Sequence, residues 1–344
     1  MTFPRPDGYN KTRKWVQIMI QNLYIYNTYT PDPHLNLAVE QYLLEHLPEE
    51  SCILYLWQNK NTVVIGKNQN AWKECRTSLL EEEGGKLARR LSGGGAVFHD
   101  LGNLNFTFLV SNEDYDVDKQ LQVIAKACLL AGVQTERSGR NDVLAEGRKF
   151  SGNAFYHNKT NAYHHGTLMV NVDMDKLGRY LSPPKAKLEA KGIASVRSRV
   201  VNLSELSPGL TCDKLRRFLE TAFAEVYGAK VTALELPPEA MAEIEKTAEH
   251  ISGWEYLYGA PLPFTFECEA RFDWGHILIQ LEAKSGIIQG VKVYSDAMDW
   301  ALPGAIETAL NGCRFAPDAF AERLSSALPE YANDLIDMLK SQDI

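Results

Sequence analysis

The sequence predicts an α+β protein with a large N-terminal domain, whose sheet is mixed or largely antiparallel, and a small α+β C-terminal domain. The chain has 344 residues, which is too long for one ordinary compact core. Strand-like and helical stretches follow one another without the strict alternation of a doubly wound parallel sheet. The apolar pattern also restarts after the aromatic, Gly/Pro-rich stretch 254–263. We therefore predict an N-terminal extension over 1–20, a first domain over 21–253 and a second over 254–344.

The first elements follow from capping residues and apolar periodicity. Asp32 and Pro33 are suited to an N-cap and a first turn, and the apolar residues of the next fourteen positions, up to Leu47, recur at helical spacing. Two short apolar runs, ILYLW (53–57) and TVVIG (62–66), predict two strands joined by a turn. The run LNFTFLV (104–110) alternates and predicts a further strand.

The rest of the first domain combines strands and helices. Its remaining predicted elements are a helix at 121–130, strands at 142–145, 149–155 and 163–170, and helices at 175–181, 213–227 and 238–250. In the second domain three strands are predicted in FTFECEARF, HILIQLEA and IIQGVKVYS, followed by helical segments at 303–310 and 318–339.

Composition excludes several classes of protein. Lysine and arginine number 36 against 44 acids, a net charge of −8, so neither a nucleic acid nor an anionic membrane is an expected partner. No apolar run approaches the ~20 residues of a spanning helix. The six cysteines are scattered, without CxxC or paired His spacing, which disfavours zinc and a disulfide framework. The sequence is thus typical of a globular protein in a reducing compartment, and we expect it to be cytoplasmic.

The strongest local signal is the glycine loop in ARRLSGGGAVFHD (88–100). Three successive glycines let backbone N–H groups approach a ligand closely. Arg89 and Arg90, just before them, offer planar donors suited to phosphate or carboxylate oxygens. The spacing fits neither a P-loop nor a dinucleotide-binding fingerprint. A tight connection beside a solvated arginine pair is the alternative interpretation.

Three further segments contain candidate residues. Asp142 is a candidate magnesium ligand, because Mg²⁺ bound with nucleotide phosphates takes few protein carboxylates. Lys149, beside small residues, could neutralise phosphate charge, although it could equally be an ordinary surface lysine. His164 and His165 lie on opposite faces of a strand, so at most one lines a given cleft. The basic stretch 185–206 is either solvated surface or a mobile flap over an anion.

Together these segments closely resemble the lipoate–protein ligase family, in particular the bacterial-type ligase A with a C-terminal accessory domain. The resemblance covers roughly residues 35–206. Its motifs occur in the family's order, as NLAVEQ, LYLWQNKNTVVIGKNQNAWKEC, RRLSGGGAVFHDLGN, GRND, RKFSGNAF, HHGTL and KGIASVRSRV.

The resemblance implies the fold that biotin ligases, lipoate ligases and octanoyltransferases share. It also implies two half-reactions: ATP and lipoate give lipoyl-AMP and pyrophosphate, and the lipoyl group then passes to a specific lysine. The implied acceptors are lipoyl domains of 2-oxoacid dehydrogenase E2 subunits and the glycine-cleavage H protein. ATP and Mg²⁺ would be required, and we expect a monomer.

The resemblance also implies site residues. Lys149 would be catalytic, contacting the α-phosphate and the lipoyl carbonyl oxygen, and Asp142 would hold the metal. The basic loop 185–199 matches the family's adenylate-binding loop. The implied ATP and adenylate contacts are Arg90, Gly95, Ala96, Val97, Phe98, Asn141 and Lys149. The implied lipoate contacts are Leu37, Trp57, Arg90, Gly95, His99, Lys149 and His165.

Two alternative functions remain open at this point. An octanoyl or lipoyl transferase of the same fold would need no ATP and would rely on a catalytic cysteine. No cysteine lies in the glycine loop, in RKFSGNAF or near HHGTL. A non-catalytic lipoyl-AMP-binding protein would keep the pocket without the chemistry, and the presence of Lys149, Arg90 and Asp142 together disfavours it.

Overall fold

The computed structural model describes residues 20–138, 142–181, 199–258 and 266–341. These residues form three hydrophobic clusters, one on each face of a large sheet and one against a small sheet near the C-terminus. Within the described ranges, no helix has both the length and the apolar character that crossing a membrane requires. The architecture confirms the predicted α+β class.

The first domain contains eleven described strands. They are β1 (Asn22–Asn27), β2 (Ser51–Trp57), β3 (Thr62–Ile65), β4 (Lys86–Arg89), β5 (Val97–His99), β6 (Asn103–Ser111), β7 (Glu136–Ser138), β8 (Asp142–Ala145), β9 (Arg148–His157), β10 (Asn161–Met169) and β11 (Val231–Ala233). Eight of them form one sheet in the order β11-β1-β2-β6-β10-β9-β8-β7, and the others form a second sheet in the order β4-β3-β5. The large sheet is mixed, because β1 runs parallel to both neighbours whereas β2 and β6 are antiparallel.

Helices cover both faces of the large sheet. The first, α1 (Pro33–Glu45), begins at the predicted N-cap, where the Asp32 side chain accepts hydrogen bonds from the backbone N–H groups of His34 and Leu35. The remaining helices of this part are α2 (Ala71–Glu74), α3 (Thr77–Glu82), α4 (Val117–Leu130), α5 (Met174–Tyr180), α6 (Leu203–Leu206), α7 (Cys212–Tyr227), α8 (Ala240–Ser252) and α9 (Trp254–Tyr258). Leu257 of α9, in the stretch assigned from sequence to the second domain, packs in the first core.

The predicted elements of the first domain are present, but their pairing differs from the sequence pattern in one place. The two runs predicted as strand, turn and strand become β2 and β3, which do not pair with each other. β2 lies between β1 and β6, whereas β3 joins the small sheet. The sequence does not predict the strands β1, β4, β5, β7 and β11.

The second domain consists of an antiparallel sheet covered by three helices. Its elements are β12 (Phe266–Phe272), β13 (Gly275–Lys284), β14 (Ile287–Ser295), α10 (Leu302–Leu310), α11 (Pro317–Ala327) and α12 (Ala332–Lys340). The single helical segment predicted over 318–339 is wrong, since it is broken between α11 and α12. Pro329 explains the break: the preceding Leu328 leaves the helical region, with φ −141° and ψ 58°.

The second domain contacts the glycine loop of the first. The backbone N–H of Gly94 donates to the carbonyl of Ala297 at 3.1 Å. Nearby, the Asn68 side-chain amide donates to the carbonyl of Trp300 at 2.8 Å. A Cβ atom at Gly93 would lie 2.4 Å from the Ala297 oxygen, so this approach requires glycine. The loop that follows Arg90 is therefore held from both domains.

Candidate functional site

A cavity of about 150 Å³ lies between the large sheet, α1 and the small sheet. One wall is apolar, and its side chains come from four elements: Leu37 of α1, Trp57 of β2, Val64 of β3 and Ala154 of β9. The Trp57 indole is held in place, since its Nε1–H donates to Thr107 Oγ1 at 3.1 Å. Such a slot suits an aliphatic chain, with a few polar groups fixing its orientation.

Arg90 organises the glycine loop from inside the protein. Its guanidinium is 6% exposed and donates to the carbonyls of Val64, Gly93 and Gly95 at 2.7–3.1 Å, and to Ser92 Oγ at 3.1 Å. Burial lowers the pKa of Arg90 to about 10, which still leaves it charged at neutral pH. The alternative of a solvated arginine is therefore excluded for this residue. Arg90 borders the cavity while most of its donors are occupied by the loop.

Arg89, the preceding residue, makes a different set of contacts. Its guanidinium donates to the carbonyls of Gly66, Lys67 and Gln69 on one side and of Tyr256 and Leu257 on the other. It thereby fixes α9 against the turn that follows β3. The arginine pair thus supports the architecture around the cavity instead of lying free on the surface.

Lys149 provides the cationic end of the cavity. Its Nζ lies 2.7 Å from Asp142 Oδ1, and both side chains are about one-third exposed. The Lys149 backbone N–H donates to the carbonyl of Arg199 at 2.8 Å, and its carbonyl accepts from the N–H of Val201 at 2.9 Å. A bulge in β9 beside Lys149 interrupts the register with β8. These contacts fix the main chain and leave the ammonium group accessible.

Gly152 leaves room for that lysine. A Cβ atom at this position would lie 3.2 Å from Nζ and 3.3 Å from Cε of Lys149. Both distances are shorter than ordinary van der Waals contact, so a larger residue would displace the lysine side chain. The glycine of RKFSGNAF thus has a steric reason.

A buried polar network supports the other side of the cavity. Glu40, 2% exposed, accepts from His165 Nδ1 at 2.8 Å and from Thr107 Oγ1 at 2.7 Å. The other ring nitrogen of His165 lies 2.8 Å from Ser92 Oγ, which also accepts from Arg90. The network fixes the imidazole of His165 at the cavity wall and joins α1 to the glycine loop.

His99 and His164 are both buried, and burial lowers the pKa of each to about 3. The unfolded chain therefore binds protons that the folded protein does not, and stability should fall as the pH decreases below ~6.5. We expect the free energy of unfolding to decrease by up to ~1.4 kcal/mol per pH unit for each histidine. Urea titrations between about pH 5 and 7.5 measure this slope.

Two variants test the origin of this slope. H164Q should reduce it, whereas H250Q, at an exposed position of α8, should leave it unchanged. A wild-type unfolding free energy that is constant over this pH range would contradict the prediction.

The structure places most of the sequence-predicted residues together. Lining the cavity are Leu37, Trp57, Arg90, Gly95, Ala96, Val97, His99, Lys149 and His165. Phe98 packs in the core against Tyr180 and is not among the residues that line the cavity. Asp142 lies beside Lys149, outside the lining. His164 faces away from the cavity and packs against Phe106. Asn141 and residues 185–198 of the basic loop lie outside the described residues.

Several residues of the site were missed from sequence. Glu40 and Asn105 are the clearest cases, together with Asn153 and Thr167 in the lining. Asn105 and Thr107 occupy one face of β6, a strand that is buried on both sides except at its end. Polar side chains on a fully buried strand are a detectable signal, because they require partners or a ligand.

Structural comparison places this arrangement in the class of lipoate–protein ligase folds. P. falciparum LipL1, solved in complex with lipoate, is 26% identical and superposes with a TM-score of 0.82, over 93% of this chain and 100% of that one. A bipartite lipoate protein ligase from Thermoplasma acidophilum, studied with its E2 lipoyl domain, is 25% identical with a TM-score of 0.64, over 72% and 100%. A lipoate-protein ligase A bound with ATP is 24% identical and shares the fold, with a TM-score of 0.62 over 70% and 99%.

The chain belongs to the lipoate–protein ligase family. Residues 32–224 match the family model of the lipoyl protein ligase A/B catalytic domain. Residues 262–339 match that of the bacterial lipoate protein ligase C-terminus. The family resemblance inferred from the motifs is thereby confirmed.

Proposed function

We propose that this protein is an ATP-dependent lipoate–protein ligase, which forms lipoyl-AMP and transfers the lipoyl group to a lysine of an acceptor protein. One observation supports this proposal above the others. One cavity joins a cation, Lys149, to a slot bounded by Leu37, Trp57 and Val64. A substrate with a carboxylate at one end and an apolar chain at the other matches this arrangement.

In the first half-reaction a lipoate carboxylate oxygen attacks the α-phosphorus of ATP. The P–O bond to the β-phosphate breaks and pyrophosphate leaves. Because two anions must meet, positive charge and the positioning of the two reactants contribute more to the rate than a protein nucleophile would. Lys149 supplies the charge, and the backbone from Gly95 to Phe98 borders the adenylate. Lys149 must leave Asp142 to contact the phosphate, which its partly exposed side chain allows.

Asp142 is the proposed Mg²⁺ ligand. The donor set fits, since Mg²⁺ bound with nucleotide phosphates usually takes one or two carboxylates and completes its shell with water and phosphate oxygens. Among the described residues no group of three metal-ligating side chains is present. When bound, the ion would neutralise phosphate charge. Asp142 would then bind the metal in place of Lys149.

In the second half-reaction the amine of an acceptor lysine attacks the lipoyl carbonyl, AMP leaves, and the amine loses a proton. We propose lipoyl domains of 2-oxoacid dehydrogenase E2 subunits and the glycine-cleavage H protein as acceptors. The study of the T. acidophilum ligase with its E2 lipoyl domain supports the first of these. We further propose that the protein acts as a monomer.

No covalent acyl-enzyme is needed in this mechanism, and the cysteines are poorly suited to form one. Burial raises the pKa of Cys52, Cys75, Cys128 and Cys268 to about 12. A nucleophilic thiol instead requires a lowered pKa or an adjacent base. This disfavours the octanoyltransferase alternative.

Lipoate-dependent exchange of pyrophosphate into ATP tests the proposal. We expect exchange only when lipoate, ATP and Mg²⁺ are all present, and mass spectrometry should then detect lipoylation of an isolated apo lipoyl domain. A transferase should show no exchange but should accept an acyl group from a carrier protein, leaving a thioester on the enzyme. Binding of lipoyl-AMP without exchange or transfer would instead identify a non-catalytic protein.

A further inference from the structure

Thr167 of β10 provides the only side-chain hydroxyl group among the described residues that line the cavity. The residue is partly exposed, so it is accessible to a ligand in the cavity. Arg90, by contrast, is almost completely buried and gives most of its donors to the glycine loop. The Thr167 hydroxyl is therefore a candidate for direct contact with a bound substrate.

The hydrogen bonding of this hydroxyl leaves its proton available to a ligand. Thr167 Oγ1 accepts from the backbone N–H of Gly152 at 3.2 Å, which holds the oxygen in place. A hydroxyl group has one proton to donate as well as two lone pairs that accept. Within the described part of the chain, the Gly152 bond is the only side-chain hydrogen bond of Thr167, so its proton has no protein acceptor there. The group is thus a donor whose oxygen position is fixed by the sheet.

The surroundings of Gly152 show that Thr167 and Lys149 border the same part of the cavity. A Cβ atom built on Gly152 would lie 3.2 Å from Lys149 Nζ and 3.9 Å from Thr167 Oγ1. Because this position is glycine and lines the cavity, the space stays open. One small space therefore adjoins both the ammonium group and the hydroxyl group.

We propose that Thr167 is a catalytic residue of the second half-reaction, in which its O–H group donates to the lipoyl carbonyl oxygen. This inference rests on the proposed function, which places that carbonyl beside Lys149. The acceptor amine attacks the carbonyl carbon, and the π electrons of the C=O bond move to the oxygen as negative charge. A donor held at that oxygen stabilises the charge. The carbonyl then re-forms, the C–O bond to AMP breaks with its electron pair on the phosphate oxygen, and the amine nitrogen releases a proton to water.

The two half-reactions place different demands on this donor. In the first, the carboxylate loses negative charge as it bonds to phosphorus, so a donor to its other oxygen adds little to the rate. In the second, the carbonyl oxygen gains negative charge, and only interactions that strengthen in the transition state accelerate the step. Lys149 faces phosphate charge in both half-reactions, whereas Thr167 contributes mainly to the second.

T167V tests this proposal, because valine keeps the shape of the side chain and removes the hydroxyl group. Pyrophosphate exchange measures the first half-reaction, and transfer from supplied lipoyl-AMP to a saturating apo lipoyl domain measures the second. We expect transfer to fall about 10²-fold or more, while exchange stays within about threefold of the wild-type rate. T167S retains a hydroxyl group and should recover most of the transfer rate. T160V, in the exposed turn between β9 and β10, is the matched control and should leave both rates unchanged.

Comparing the two half-reactions also distinguishes this role from a structural one. Valine leaves the Gly152 N–H without its acceptor, and a displacement of β9 would impair Lys149 and hence both half-reactions alike. Equal losses of exchange and transfer in T167V would therefore overturn the proposal, as would transfer at the wild-type rate. Failure of the wild-type protein to catalyse exchange or transfer would instead contradict the proposed function, so the two failures are distinguishable.

Discussion

K149A is expected to lower lipoate-dependent pyrophosphate exchange by about 10²–10³-fold while the protein remains folded. The reason is that Lys149 is the cationic side chain at the accessible end of the cavity, where negative charge accumulates as carboxylate and α-phosphate meet. Its side chain is about one-third exposed and its main-chain hydrogen bonds survive the substitution, so stability should change little. Exchange kinetics at saturating ATP measure the effect, and circular dichroism reports on folding.

Two further variants complete this test. K159A removes an exposed lysine from the turn between β9 and β10, and it should retain full exchange. K149R keeps the charge on a bulkier head group and should recover part of the activity. Wild-type exchange in folded K149A would show that the lysine is not the catalytic cation.

R90M is expected to lower the free energy of unfolding by about 3 kcal/mol or more and to abolish exchange. The guanidinium is buried and donates to three backbone carbonyls and the Ser92 hydroxyl, all around the glycine loop. Methionine preserves the apolar stem of the side chain and removes all these donors, so the loop loses its support. Urea unfolding monitored by circular dichroism measures the change.

The fork geometry of arginine makes R90K informative. One ammonium group cannot reach acceptors on both sides of the loop, so lysine should recover little of the lost stability. R217M is the matched control, because Arg217 is exposed on α7 and should tolerate the change. Equal stability of R90M and wild type would show that the loop holds its conformation without this cation.

The glycine loop contacts both domains and the cavity. Arg90 supports it from the first core, and Ala297 of the second domain accepts a hydrogen bond from its Gly94 N–H group. The same loop borders the cavity through Gly95 and Ala96. Its three glycines thus serve the ligand site and the contact between domains at once, which explains why a side chain is excluded at Gly93.

Local features of the sequence were sufficient to predict most helices and strands and to identify the family. The N-cap at Asp32, the alternation in β6 and the apolar runs of the second domain predict the corresponding helix and strands, because capping and periodicity act over a few residues. The ordered motifs from NLAVEQ to KGIASVRSRV carried the family resemblance, which the family models confirm. They also singled out Lys149 and Arg90, which line one cavity.

Only the tertiary structure decided which side chains meet. The assignment of β2 and β3 to different sheets, the ion pair of Lys149 with Asp142 and the pairing of Glu40 with His165 all join residues from separate elements. No short segment of the sequence encodes these contacts, since they depend on the order of the strands in the sheets and on which buried polar groups become hydrogen-bond partners.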